Sequence, residues 1–216
     1  MRCVKQVKPV CVVKRLIYVM DPMCAWCYGF KPELEAFFKT HSDIHVEWVM
    51  GGLAPDNNQP MSEQMRTTIA AYWQQIEAKT QVTFNHDYWQ CNTPYRSTYL
   101  ACRAVIVAND LQENGAEKMV NAIQTAYYQK AQNPSLENTL IECAIEIGID
   151  KDAFVHGLNS EQTQKTLTQH LDITKQLHVT GFPALFYLDE NNHVYPLALG
   201  FCTFSELAQR FNRMSQ

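Results

Sequence analysis

The chain has 216 residues, a net charge of −4 and an apolar fraction of 46%. That length suits one domain, or one domain carrying a large insertion, and the composition is ordinary for a globular protein. The acidic balance argues against a nucleic-acid surface, and no run of about 18 apolar residues is present to span a membrane.

Residues 1–13 hold Cys3 and Cys11. Lys8, Lys14 and Arg15 interrupt the apolar run of the N-terminal stretch, and no small-residue cleavage site follows, so a signal peptide is not expected. The expectation is a cytoplasmic protein in which most of the eight cysteines are reduced core residues. Cys3 and Cys11 are read as part of a loosely attached arm or an added edge strand, in preference to a second redox pair.

Leu16-Ile17-Tyr18-Val19-Met20 is an apolar, β-favouring run of the length of one buried strand. Asp21-Pro22 signals a turn. Cys24 and Cys27 follow, and Leu34, Phe37 and Phe38 then recur at helical spacing. The two thiols therefore sit where a strand hands over to a helix, a context that marks a disulfide-exchange site. A thiolate is the nucleophile in such exchange, and the first N–H groups of a helix carry partial positive charge. Cys24 is expected to be the exposed, acidified, attacking thiol, and Cys27 the shielded one that resolves the mixed disulfide. Ala25 and Trp26 between them are uncharged. The thiolate is then less stabilised than beside an imidazole, and the potential is expected nearer about −270 mV than about −120 mV. A structural zinc site usually needs a second ligand pair at similar spacing, and the chain has no second CxxC. No metal is expected.

Residues 44–50 alternate and read as a second strand ending at Gly51-Gly52. Strand, helix, strand implies a parallel pair with a right-handed crossover. Glu47 is read as solvent-facing, in preference to a buried carboxylate serving Cys27. The character changes over 61–178. Helical periodicity appears from Ser62 to Ile76, then over 95–108 with Ser97 as a cap, and over 118–131, 135–147, 151–158 and 161–177. About six helices with short polar joints are too much for a loop. They should pack as a helical subdomain against the sheet. Cys102 and Cys143 fall on apolar helix faces and read as packing. Cys91 and Cys202 read as partly exposed and without a role. The strand pattern returns at Pro183, which opens a strand to Leu188. A turn at 189–192, a strand at 193–199 and a closing helix at 204–214 follow. The expected fold class is α/β: a thioredoxin-type sheet formed by 1–58 and 179–216, split by an all-helical insertion at 59–178.

The runs DPMCAWCYGF (21–30), GGL (51–53), YRSTYLACRA (95–104), QTAYYQKAQNPS (124–135) and VTGFPALF (179–186) together resemble the DsbA-like thioredoxin proteins. Within them, the chain looks like the cytosolic branch described as predicted protein-disulfide isomerases, near the FrnE group. The resemblance implies thiol–disulfide exchange, with Cys24 and Cys27 as the catalytic pair. It also implies a Phe182–Pro183 bond that is cis and faces the cysteines, which an X–Pro bond permits at little cost. Ala25-Trp26 stands where periplasmic DsbA has Pro-His, and an export signal is lacking; both depart from a strongly oxidising role. Met23, Ala25, Trp26 and Phe182 are expected to contact substrate, with Tyr28 and Phe30 either completing an apolar rim or packing in the core. Partners would be protein or small-molecule disulfides and thiols, with no nucleic acid and no membrane. No cofactor is expected beyond the redox-active pair, glutathione being open as a co-substrate. Two alternatives are a glutathione-dependent isomerase or transferase, resembling the hydroxychromene-carboxylate isomerases, and a non-catalytic adaptor. The two cysteines speak against the first, and Cys24→Ser separates both from a disulfide reductase.

Overall fold

The computed structural model describes residues 14–214, so Cys3 and Cys11 and the arm expected of 1–13 lie outside the described residues. The first strand, β1 (Lys14–Met20), is apolar and buried from Leu16 to Met20, where both of its faces are covered. Leu16, Tyr18 and Met20 enter one core cluster, while Ile17 and Val19 enter another on the opposite face. Helix α1 (Ala25–Thr40) leads to β2 (Ile44–Met50), which runs parallel to β1 with Leu16 opposite Val46. The strands β3 (Ala184–Leu188) and β4 (Val194–Leu199) add antiparallel pairs, giving the order β2-β1-β3-β4. Pro183 stands immediately before β3 instead of opening it.

Between β2 and β3 lie α2 (Glu63–Thr80), α3 (Tyr88–Cys91), α4 (Tyr99–Leu111), α5 (Gly115–Tyr128), α6 (Glu137–Glu146), α7 (Lys151–Leu158) and α8 (Glu161–Gln176). The described residues thus hold seven helices there instead of about six. The extra one, α3, has four residues, too few to show a period. Ser62 caps α2, its hydroxyl accepting from the Met65 N–H at 3.3 Å. Ser97 does not cap α4: Thr98 occupies that position, and the Ser97 hydroxyl accepts from the Asn57 N–H at 3.2 Å. The last helix, α9 (Phe204–Met214), closes the sheet beside α1, with Phe211 edge-on to Phe37 at 5.2 Å.

The insertion packs on both sides of the redox motif. Leu177 and Ile173, at the end of α8, cover Ile17 and Val19. On the other side Trp73 of α2 sits among Phe84, Tyr88, Trp89, Tyr127 and Tyr128, with ring centroids 4.8–5.7 Å away. Tyr28 of α1 stacks on Tyr128 at 4.6 Å and joins this cluster. Among the described residues no helix is long and apolar enough to cross a membrane. His41 caps the end of α1 and stacks on Phe37, while His45 lies in β2.

Candidate active site

The chain leaves β1 at Met20 and turns through Asp21. The Cys24 N–H donates to the Asp21 carbonyl at 3.0 Å, which closes the turn and starts α1. Cys24 is the N-cap residue, with extended backbone angles and no capping bond from its side chain. Its sulfur is thereby left at a helix end whose first N–H groups lack intrahelical partners. The Cys24 thiol lies 3.9 Å from the Phe182 carbonyl oxygen, to which it donates. The Phe182–Pro183 bond is cis. Gly200 N–H donates to the Pro183 carbonyl at 2.7 Å, tying this loop to the end of β4. Gly51, at the exit of β2, lies under Phe182: a Cβ there would come within 2.1 Å of the ring.

Cys27 lies one turn further in and is 1% exposed. Neither cysteine is in a disulfide. Burial pushes the Cys27 thiol well above its ordinary range. A hydrogen bond to Cys24 and the charge of Cys24 raise it further, against a lowering contribution from the Asp21 backbone. Cys24 is only 7% exposed, not the open thiol expected, because the insertion and Phe182 wall it in. Its opening is a cavity of about 410 Å³, whose walls include Met23, Ala25, Trp26 and Phe182. Phe182 and Gly181, and not Pro183, form the wall on that side. Tyr28 and Phe30 do not belong to the rim. Tyr28 is buried against Phe84 and Tyr128, and Phe30 is fully buried near Tyr18 and Phe201. Their helical positions point them at the core.

Asp21, a turn signal in the sequence, is a fully buried carboxylate. One oxygen accepts from the Met23 N–H at 2.8 Å. The other accepts from the Leu53 N–H at 2.7 Å, the Thr98 hydroxyl at 2.6 Å and the Cys102 thiol at 3.5 Å. Burial nevertheless holds Asp21 above the usual carboxylate range, the hydrogen bonds only partly offsetting it. Its one hint in the sequence is an acidic residue directly after the apolar run Leu16–Met20. Glu47, the carboxylate weighed for a role at Cys27, is partly exposed and pairs with Arg15 at 3.7 Å. Cys102 packs as expected and also reaches Asp21. Cys202 is buried, not partly exposed, and Cys91 is exposed. His170 of α8 is a second residue that the sequence did not single out. Its Nδ1 accepts from the Met50 N–H at 3.1 Å, just before Gly51.

The family model described as DSBA-like thioredoxin domain matches residues 15–210. The chain belongs to that family. A Nitrosomonas europaea protein proposed to be a protein disulfide isomerase superposes with a TM-score of 0.81 at 24% identity, over 94% of this chain and 98% of that one. The cytosolic disulfide reductase DsbM from Pseudomonas aeruginosa superposes with a TM-score of 0.77 at 24% identity, over 93% of this chain and 98% of that one. DsbM has also been solved with GSH, and that structure gives a TM-score of 0.76 over 94% of this chain and 100% of that one. At these identities the likeness is one of fold. Among curated proteins, the ClpXP adapter protein SpxH of Halalkalibacterium halodurans is 23% identical over 177 residues, 80% of this chain. The chain covers 58% of that adapter's length.

Proposed function

We propose that the chain is a cytoplasmic thiol–disulfide oxidoreductase, acting as a reductase or isomerase, with Cys24 as nucleophile and Cys27 as resolving thiol. The observation that carries this reading is the placement of the pair. Cys24 stands at a helix N-terminus and opens on a cavity, while Cys27 is sealed behind it and hydrogen-bonded to it. The Cys24 thiolate attacks one sulfur of a substrate disulfide, forming a mixed disulfide and expelling the other sulfur as a thiolate. Cys27 then loses its proton and attacks the Cys24 sulfur. The Cys24–Cys27 disulfide forms, the second substrate thiolate leaves, and two electrons have passed from protein to substrate. Pro183 has no N–H to spend on the thiolate. The Phe182 backbone beside it offers a pairing edge to an extended substrate. The likeness to DsbM supports glutathione as a co-substrate, and no cofactor beyond the cysteine pair is invoked.

The test is reduction of insulin and reactivation of scrambled ribonuclease. The wild-type protein should do at least the first, and Cys24→Ser should abolish it. Cys27→Ser should accumulate a mixed disulfide on Cys24, visible by mass. An unchanged rate in Cys24→Ser overturns the proposal. The curated adapter relatives favour a second reading, a partner-gripping adaptor. It is distinguished by partner binding that survives Cys24→Ser while no disulfide is turned over.

A further inference from the structure

Among the described residues, the cavity at Cys24 has a charged wall at one place only. Opposite Met23, the insertion lines it with Met61, Met65, Ile69 and Tyr72, and the loop before α4 adds Arg96. Arg96 is partly buried, and it has no ion-pair or hydrogen-bond partner among the described residues. Nearby arginines are otherwise engaged. Arg66 donates to the Trp89 carbonyl at 2.5 Å, and Arg103 pairs with Asp56 at 2.7 Å. A guanidinium held against an apolar wall without a partner is costly, and a carboxylate matches its paired donors. A volume of about 410 Å³ is within the range of small-molecule sites.

We infer that Arg96 is a specificity-determining residue that receives a carboxylate of a small disulfide while Cys24 attacks its sulfur. The substrate class is a carboxylate-bearing disulfide of low molecular mass. The inference rests on the reading of Cys24 as the attacking thiol. The net charge of the chain is −4, so its overall field does not draw such an anion in, and the attraction is a local contact.

The test is a single turnover of the reduced protein, with oxidised glutathione or the neutral bis(2-hydroxyethyl) disulfide as the sole oxidant. The two electrons come from Cys24 and Cys27, and each disulfide is converted into two thiols. Formation of the protein disulfide is followed by thiol trapping and mass. Arg96→Gln should slow oxidation by glutathione disulfide about tenfold and oxidation by the neutral disulfide less than about twofold. Arg96→Lys should recover part of the loss. Lys79 is an exposed control outside the cavity wall, its Nζ 5.7 Å from the Trp26 ring. Lys79→Gln should leave both rates unchanged. The inference is overturned if Arg96→Gln leaves the ratio of the two rates as in the wild type, or if Lys79→Gln lowers that ratio as much. If neither disulfide oxidises a wild-type protein that still reduces insulin, the inference fails; if insulin is not reduced either, the oxidoreductase reading itself fails.

Discussion

Asp21 shows how a single fully buried residue can organise the candidate site. Its carboxylate collects donors from the turn before α1, the exit of β2 and the start of α4. The fold thus fixes Met23 and Leu53, two walls of the cavity, to one buried acid. That acid works against stability at neutral pH, because burial raises its pKa in the folded state. The unfolded chain ionises first, so the favourable contribution is complete below the ordinary carboxylate pKa and is lost as pH rises through the folded value. From about pH 4 upward, until the folded value is passed, unfolding free energy should carry a falling component. Asp21→Asn should remove it, as the difference between urea midpoints of the two proteins across pH would show. Cys24 and Cys27 were legible in the sequence because their spacing and setting are local. Asp21 and Arg96 were not, since what distinguishes each is the company it keeps across the fold.

At the scale of elements, β2 and the loop after it align the site. His170 holds the Met50 N–H, and the next residue, Gly51, supports the Phe182 ring. Burial lowers the His170 pKa, so its neutral form is favoured in the folded state. Its contribution is therefore complete above about pH 6.5 and is lost as pH falls through the folded value. His170→Asn keeps an acceptor near the Met50 N–H and cannot titrate. This variant should lose less stability than the wild type between neutral and mildly acid pH, read from thermal melts. Gly51→Ala would drive a methyl group into the Phe182 ring. The ring can yield only by leaving its place beside Cys24, so disulfide-exchange rate should fall several-fold while stability falls by about 1–3 kcal/mol. Insulin turnover and urea melts on the same protein check both. The bounds of β2 and α9 were readable from alternation and helical period. The cap of α4 was not, because Ser97 and Thr98 are chemically equivalent candidates and the packing of the loop at Asn57 chose between them.

Across the whole molecule, the helical insertion helps to build the candidate active site, for α2 and the loop before α4 supply part of the cavity wall at Cys24. The aromatic cluster around Trp73 holds that wall to α1 through Tyr28. Trp73→Ala should cost about 3–5 kcal/mol, as removal of a large buried aromatic does. It should also open the cavity and speed alkylation of Cys24. Urea unfolding and the rate of iodoacetamide labelling under native conditions measure the two effects. An unchanged labelling rate in a destabilised variant would mean that α2 does not shield the thiol.

By itself the sequence determined the order of strands and helices apart from the four-residue α3, the split of the sheet by a helical insertion and the position of the two thiols at the start of α1. All of these follow from hydrophobic period and short-range spacing, which act between neighbours along the chain. The tertiary structure alone decided that Asp21 is buried, that Tyr28 and Phe30 face inward, that Cys24 opens into a cavity instead of solvent, and that Arg96 is the one charge that the described residues place on the cavity wall. Each of these depends on residues far apart in sequence excluding water from the same small volume, which no local pattern encodes.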